Sequence, residues 1–259
     1  MRSRRVLGLV LGAAALALLG VVLLAPSSSS TAGRNNLPGP PTPALTVGMP
    51  SALDGERHVS LWTTVRRPVT ARASASSEAE VLARLGRSTP EGTANPLQVL
   101  GRTRDASGGV WVRVRLAVLP NGTTGWVPRA AISGYRAVRT RLVVSLRRKR
   151  ATLLRDGRPV LRAPVGIGLP QWPTPRGRFY VRNKLVRYRS AFYGPLAFGT
   201  SARSPVLTDW PGGGFVGIHG TNQPQLIPGR VSHGCIRMRN HDIRRLGRLM
   251  PVGTPITIS

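Results

Sequence analysis

The chain's only cysteine lies in the stretch S-H-G-C-I-R at residues 232–237, and a second histidine, His219, precedes it in G-I-H-G. An unperturbed cysteine has a pKa of about 8.5, so a nucleophilic cysteine needs an imidazole within hydrogen-bond reach. His219 and His233 are both candidates for that imidazole. Gly234 lets the backbone turn sharply beside the sulfur, so neighbouring N–H groups could face a developing oxyanion. The two stretches together predict an activated thiol nucleophile at Cys235.

Two other interpretations of Cys235 have to be weighed. A lone cysteine is more often a small buried hydrophobic residue, but the neighbouring glycine and the two histidines favour the reactive interpretation. A metal site is the second alternative. One thiol with a few histidines and no paired cysteine lacks the usual spacing of zinc ligands. The sequence therefore predicts neither a metal nor a cofactor.

Two motifs resemble the signature of the L,D-transpeptidase (YkuD-type) catalytic domain, a family of cysteine enzymes that cross-link peptidoglycan. They are I-H-G-T-N at residues 218–222 and V-S-H-G-C-I-R-M at residues 231–238. P-T-P-R-G at residues 173–177 resembles the family's Thr-Pro-x-Gly turn, and Y-G-P with A-F-G-T within residues 193–200 resembles the segment before the active-site strand. The resemblance covers residues 135–259.

The resemblance implies a role for each matching residue. Cys235 is then the nucleophile and His219 the general base, while His233 and Gly234 shape the site. Arg237 matches a position that holds the site or an anionic group of the substrate. The remaining motif residues, which we assign to substrate binding, are Ser232, Gly220 and Thr221.

The resemblance also implies a reaction. The thiolate of Cys235 attacks a peptidoglycan tetrapeptide stem after its third residue, and an acyl-thioester forms with loss of the terminal D-alanine. An amine of a neighbouring stem then gives a 3-3 cross-link, which makes the predicted enzyme a cysteine acyltransferase. Other acceptors would make it an L,D-carboxypeptidase or a D-amino-acid exchange enzyme, and a catalytically inactive wall-binding protein is a further alternative. Carbapenem β-lactams are expected to acylate the same cysteine, as is characteristic of the family.

Charge points to an anionic partner. The 259-residue chain carries a formal net charge of +29, and arginine supplies nearly all of the positive charge. Such a balance indicates nucleic acid or another polyanion. The basic residues are spread over the whole chain without a nucleic-acid-binding motif, so we expect no nucleic acid. An anionic cell-wall or membrane surface fits better.

The N-terminus predicts the compartment. Residues 1–25 begin with three arginines followed by an apolar run long enough to cross a hydrocarbon core of about 30 Å. This length favours an uncleaved signal-anchor, because cleavable signal peptides have apolar stretches of roughly 7 to 15 residues. Small residues near Ser30 keep a cleaved signal peptide as the alternative. Residues 26–58 predict a Pro/Ser-rich linker. We therefore expect an extracytoplasmic protein of the bacterial cell envelope, anchored or else secreted.

Residues 59–133 predict a small β module. Alternating apolar and polar positions at residues 110–114 and 125–127 are typical of half-buried strands. The pair Asn121-Gly122 between them predicts a tight hairpin turn, because both residue types tolerate positive φ. The unit resembles the SH3-like β-barrel modules that often precede wall-active catalytic domains.

The catalytic half, residues 135–259, is predicted to be mostly β with one or two short helices. Asp156-Gly157 predicts a hairpin turn. Asn240 is the predicted N-cap of a short helix, with apolar residues at helical spacing after it. The predicted strands lie at residues 142–146, 151–154, 160–168, 215–219 and 255–258.

Overall fold

The structure, a computed structural model, describes residues 58–186, 190–207 and 214–259. The predicted membrane-targeting segment 1–25 and nearly all of the predicted linker 26–58 lie outside these residues, so both stay predictions. The described residues are mostly β, as predicted, and belong to one compact unit. None of the helices in this part of the chain is long and apolar enough to cross a membrane.

An antiparallel sheet of seven strands forms the first part of the described chain. Their order across the sheet is β3-β2-β6-β5-β4-β1-β7. Alternation along β5 buries Val112 and Val114 and exposes Arg113, because successive side chains point to opposite faces of a strand. The predicted SH3-like barrel stays a prediction. The strands are β1 (Ser60–Thr64), β2 (Val69–Arg72), β3 (Val81–Leu85), β4 (Pro96–Arg104), β5 (Val110–Arg115), β6 (Thr124–Pro128) and β7 (Arg136–Val138).

Two features of this sheet differ from the sequence prediction. Strand β7 pairs with β1, so the first sheet extends to Val138, beyond the predicted end of the module at residue 133. Asn121-Gly122 forms the predicted tight turn, with Gly122 at φ 94° and the N–H of Thr123 donating to the carbonyl oxygen of Pro120 at 3.3 Å, but the connection from β5 to β6 is longer than a two-residue hairpin. The longer connection lets the Asn121 amide reach the second sheet, where it donates to the carbonyl oxygen of Arg203 at 2.7 Å and accepts from its N–H at 2.9 Å.

Ten strands form the second sheet, in the order β10-β9-β8-β17-β12-β13-β14-β16-β11-β15. The predicted hairpin turn is confirmed: Asp156 and Gly157 have φ of 50° and 75°. The predicted strand 160–168 is divided into two, because its second part leaves β9 and pairs with β15 and β16. The strands are β8 (Thr140–Ser145), β9 (Arg150–Arg155), β10 (Arg158–Pro164), β11 (Gly166–Gly168), β12 (Gly177–Val186), β13 (Leu196–Arg203), β14 (Phe215–His219), β15 (Gly229–Ser232), β16 (Ile236–Arg237) and β17 (Pro255–Ile258).

One α-helix, α1 (Asn240–Leu249), lies among the described residues, together with three short 3-10 helices at Arg129–Ala131, Ala191–Tyr193 and Pro224–Leu226. Ile243 and Leu246 of α1 are buried in the core, as their spacing predicts. The predicted N-cap is wrong. Arg239 occupies that position without a side-chain capping bond, because the Asn240 side chain accepts a hydrogen bond from the N–H of Thr221 instead.

The parallel pairing of β14 with β16 positions the site. Ile218 lies opposite Ile236, and both are fully buried in the core of the second sheet. His219 at the end of β14 therefore lies beside Arg237, and Cys235 lies just before β16. Strand pairing thus brings the two signature motifs of the sequence together.

Candidate active site

Cys235 lies in the loop between β15 and β16, and its side chain is partly buried. Its sulfur accepts a hydrogen bond of 3.4 Å from the backbone N–H of Gly217 on β14. A backbone donor in a strand is held rigidly and stabilises negative charge as it forms on the sulfur. The thiol therefore already has a donor aimed at the thiolate that the reaction needs.

His219 is 1% exposed, and its Nδ1 lies 2.6 Å from the carbonyl oxygen of Gly220. A carbonyl oxygen can only accept, so Nδ1 carries the proton and Nε2 is left with its lone pair. This hydrogen bond to a backbone carbonyl fixes the orientation of the imidazole ring. Gly220 itself has no room for a side chain, because a Cβ would collide with the Oδ1 of Asn240. In the described part of the chain, no hydrogen bond joins the imidazole to the sulfur.

Two hydroxyl groups hold the loop between β15 and β16, which carries Cys235. Ser232 Oγ donates to the carbonyl oxygen of Cys235 at 2.6 Å and accepts from the N–H of Gly234 at 3.2 Å. Thr174 Oγ1 accepts from the N–H of Gly168 and donates to the carbonyl oxygen of Gly234, both at 2.9 Å. Gly234 has a φ of 109°, which disfavours any residue with a side chain. The N–H of Gly234 is engaged within the loop by Ser232.

Cys235 and His219, the predicted nucleophile and base, line one pocket with aromatic walls. The ring centroid of Tyr193 lies 4.7 Å from that of His219, and the centroid of Phe192 lies 6.2 Å away. Arg237 as a residue is 5% exposed, and the Cζ of its guanidinium lies 4.4 Å from the centroid of the Phe192 ring. Its Nε has no hydrogen-bond partner among the described residues. The pocket therefore presents a thiol, an imidazole and a buried cation to a bound molecule. Its lining is Phe192, Tyr193, Ser204, Leu207, Gly214, Phe215, Val216, His219, Ser232, His233, Cys235 and Arg237.

The structure divides seven of the eight predicted site residues into two groups, and the eighth, Gly234, lies in the turn before Cys235 outside the pocket lining. Cys235, His219, His233, Arg237 and Ser232 line the pocket. His233 is exposed at its rim, where its ring packs on Trp172 with a centroid separation of 4.2 Å.

Gly220 and Thr221, both predicted to bind substrate, lie behind His219 and outside the pocket lining. Thr221 is 1% exposed, and its N–H donates to Asn240 while its hydroxyl accepts from the N–H of Gln223. These bonds hold the backbone that carries the Gly220 carbonyl. The two residues therefore support the base and do not face the pocket.

Four residues contribute to the site although they were not among the predicted site residues. Gly217 and Asn240 act through hydrogen bonds to segments distant in the chain, so the sequence carries no local signal for these two roles. Thr174 and Tyr193 lie within the motif stretches at residues 173–177 and 193–200, which is the signal that pointed to them.

Burial sets the protonation states of the reactive pair. It lowers the pKa of His219 to about 4, although the hydrogen bond with Gly220 acts in the opposite direction and the Arg237 charge lowers the pKa further. Burial raises the pKa of the Cys235 thiol, while the Gly217 N–H and Arg237 oppose that rise. Near neutral pH the resting pair is therefore a neutral thiol and a neutral imidazole, and the proton moves when the sulfur attacks.

A low pKa at His219 predicts activity in mild acid. The base must be unprotonated, so the acid limb of the kcat/KM profile should fall at about pH 4 and not near 6.5. Because the unfolded chain binds the proton near pH 6.5 and the folded chain only near 4, unfolding free energy should fall by about 3 kcal/mol as the pH drops through that window. Chemical denaturation of wild type and His219→Gln, which cannot titrate there, measures this. An acid limb near pH 6.5 would contradict the buried base.

Known proteins that resemble this chain point to one family. Residues 139–258 match the YkuD model, the L,D-transpeptidase catalytic domain. The chain is 34% identical over 118 residues to the putative L,D-transpeptidase YkuD of Bacillus subtilis, covering 46% of this chain and 65% of that protein. It is 52% identical over 44 residues to the probable L,D-transpeptidase YbiS of Escherichia coli, covering 17% of this chain and 14% of that protein. The chain thus spans less than two thirds of the length of these relatives.

Solved structures give weaker matches. The catalytic domain of an Enterococcus faecium L,D-transpeptidase is 28% identical with a TM-score of 0.35, covering 46% of this chain and 96% of that one. L,D-transpeptidase 3 from Mycobacterium tuberculosis, in complex with a faropenem-derived adduct, is 18% identical with a TM-score of 0.38, covering 55% and 75%. The likeness to the family lies in the sequence matches and in the two motifs. Residues 139–258 of this chain are thus similar to the L,D-transpeptidase catalytic domain of the YkuD family.

Proposed function

We propose that this protein is a peptidoglycan L,D-transpeptidase that forms 3-3 cross-links through an acyl-thioester on Cys235. One observation carries the proposal. The Cys235 thiol, with the Gly217 N–H on its sulfur, lines the same pocket as a His219 imidazole whose free Nε2 follows from the Gly220 hydrogen bond. Nucleophile, base and orienting group are the three parts that thiol acyl transfer requires.

The acylation step follows from these roles. Nε2 of His219 takes the thiol proton while the sulfur attacks the carbonyl carbon between the third and fourth residues of a tetrapeptide stem. The tetrahedral intermediate collapses by breaking the C–N bond. The imidazolium returns its proton to the leaving amine, so that D-alanine departs and the thioester remains.

The second half-reaction repeats these steps with another nucleophile. The side-chain amine on the third residue of a neighbouring stem attacks the thioester and loses a proton to His219. The C–S bond breaks, and the thiolate of Cys235 is protonated again. Water or a D-amino acid in place of the amine would give trimming or exchange on the same acyl-enzyme.

The buried guanidinium of Arg237 suits an anionic part of the stem. Its charge lies in the pocket beside Cys235, and its Nε has no hydrogen-bond partner among the described residues. A buried donor without a partner is costly until a ligand satisfies it. We therefore assign a stem carboxylate to Arg237.

The proposal places the enzyme on the outer side of the bacterial membrane. Residues 1–25 would anchor it or direct its secretion, and residues 26–58 would span the distance to the folded part. The formal net charge of +29 suits an anionic cell-wall or membrane surface as the surrounding medium. Protease accessibility of the folded part on intact cells tests this location.

Carbapenem acylation of Cys235 is an expected result. A strained lactam carbonyl presents the same target as the scissile amide, and the opened ring keeps the leaving amine tethered to the acyl group. Intact-mass spectrometry of the protein with a carbapenem should show one stoichiometric adduct, and peptide mapping should place it on Cys235. Cys235→Ser is the matched control and should stay unmodified. An adduct on another residue would contradict the assignment of the nucleophile.

Product analysis tests the whole proposal. Purified disaccharide-tetrapeptide incubated with the protein should give a 3-3 cross-linked dimer and free D-alanine. Tripeptide products without a dimer would identify an L,D-carboxypeptidase, and incorporation of an added D-amino acid would identify an exchange enzyme. Binding to intact walls without any of these products would leave only a wall-binding protein.

A further inference from the structure

We propose that Glu91, which lies in the first sheet's connection between β3 and β4, is a positioning residue for the catalytic pocket and acts through Arg182 on Phe215. The activity readout for this inference rests on the proposed function. The inference makes the first sheet a structural part of the active site.

The Glu91 carboxylate contacts β12 of the second sheet directly and β13 through Asn183. Glu91 Oε2 lies 3.2 Å from Nη2 of Arg182 and accepts a hydrogen bond of 2.9 Å from Nδ2 of Asn183, both on β12. Asn183 Oδ1 in turn accepts from the N–H of Gly199 on β13 at 2.9 Å. The Arg182 side chain is 2% exposed, so this ion pair is buried on the arginine side.

Arg182 contacts a wall of the pocket directly. Its Cζ lies 3.7 Å from the ring centroid of Phe215, and the Cζ of Arg203 lies 4.7 Å from the same centroid. Phe215 lines the pocket and is the first residue of β14, which carries His219 at its other end. A displacement of Arg182 would therefore move both the pocket wall and the start of the strand that delivers the base.

The charges around the Phe215 ring explain why the position of this pocket wall depends on Glu91. Two guanidinium groups near one ring repel each other, and burial and Arg203 both lower the pKa of Arg182 while Glu91 raises it. Nη1 of Arg182 is buried and has no hydrogen-bond partner among the described residues. A buried cation that loses its counter-charge moves or draws water towards it. Glu91 thus neutralises Arg182 and also fixes where its guanidinium stacks.

Two further contacts from the first sheet act on the same strands. The Asn121 amide bonds both the N–H and the carbonyl oxygen of Arg203 at the end of β13. The buried hydroxyl of Tyr180 on β12 donates to the carbonyl oxygen of Pro96 at 3.0 Å. These bonds hold β12 and β13 on either side of the Glu91 contact, so a local change at Glu91 would act on the pocket wall and leave the two sheets attached.

Glu91→Gln is the first test, with Glu80→Gln, an exposed acid of the same part of the chain, as the matched control. A displacement of about 1 Å in an active site can cost about 10²-fold in rate, so the rate constant of Cys235 acylation by a carbapenem should fall about 10- to 100-fold. Amide exchange in peptides from β13 and β14 should become faster, while exchange in β8 to β10 stays unchanged. Glu80→Gln should match wild type in both. An unchanged acylation rate together with unchanged exchange would overturn the proposal.

A second pair of variants keeps the test usable if Glu91→Gln does not fold. Arg182→Met removes the buried cation, and the Glu91 carboxylate that remains is 22% exposed and keeps its hydrogen bond from Asn183. If Glu91 acts through Arg182, adding Glu91→Gln to Arg182→Met should change the acylation rate less than about twofold. If Glu91→Gln instead lowers the acylation rate by the same factor with and without Arg182→Met, the two residues act independently, and this result would overturn the proposal. Faster exchange in the Glu91 variant with no acylation of wild type would reject the proposed function and leave this inference standing.

Discussion

Cys235→Ser is expected to abolish acyl-enzyme formation and cross-linking while the fold is retained. The hydroxyl has nearly the volume of the thiol, and Ser232 and Thr174 hold the loop through bonds that do not involve the sulfur. A neutral imidazole with a pKa of about 4 is too weak a base to ionise a serine hydroxyl. Removal of the nucleophile from a catalytic unit costs about 10⁶-fold, so activity should fall to the detection limit. Stem-peptide turnover and intact-mass labelling measure this loss.

A thermal melt is the control for Cys235→Ser, and its midpoint should stay close to that of wild type. Cys235→Ala, which removes the polar atom altogether, should behave in the same way. Cross-linking by the serine variant at the wild-type rate would show that another residue is the nucleophile.

His219→Ala has the second largest expected effect. Loss of a general base typically costs about 10²- to 10⁴-fold in rate. The remaining activity should rise with pH, because the thiol then has to ionise unaided and burial has raised its pKa. Rates of carbapenem acylation measured from acid to alkaline pH report this directly, since they do not depend on the acceptor.

His233→Ala is the matched comparison for His219→Ala. His233 is exposed at the rim of the pocket and packs on Trp172, whereas His219 is buried and held by a backbone carbonyl. We therefore expect the histidine at the rim to matter less. A larger loss in His233→Ala, or a wild-type pH profile in His219→Ala, would move the base role to His233.

Strand patterns in the sequence predicted much of the second sheet. The strands at residues 215–219 and 255–258 appear with the predicted limits, and the Asp156-Gly157 turn is confirmed. These segments have local causes, namely apolar runs and residues that tolerate positive φ. What the sequence did not predict at Asn121 and Asn240 has another cause. The side-chain amide of each residue makes hydrogen bonds to a segment distant in the chain, and this replaces the predicted cap at Asn240.

The sequence by itself determined which residues are the predicted nucleophile and base and which family the chain resembles, because these depend on residue types at short spacing within two motifs. Tertiary structure alone decided which atoms face the pocket. Parallel pairing of β14 with β16 brings the Gly217 N–H to the sulfur, and the Gly220 carbonyl selects the tautomer of His219. The tertiary structure also places Gly220 and Thr221 behind His219, where they support its backbone, and it places Glu91 in contact with Arg182. Such contacts join residues far apart in the chain, and their energy depends on burial and direction, which no local pattern of residue types specifies.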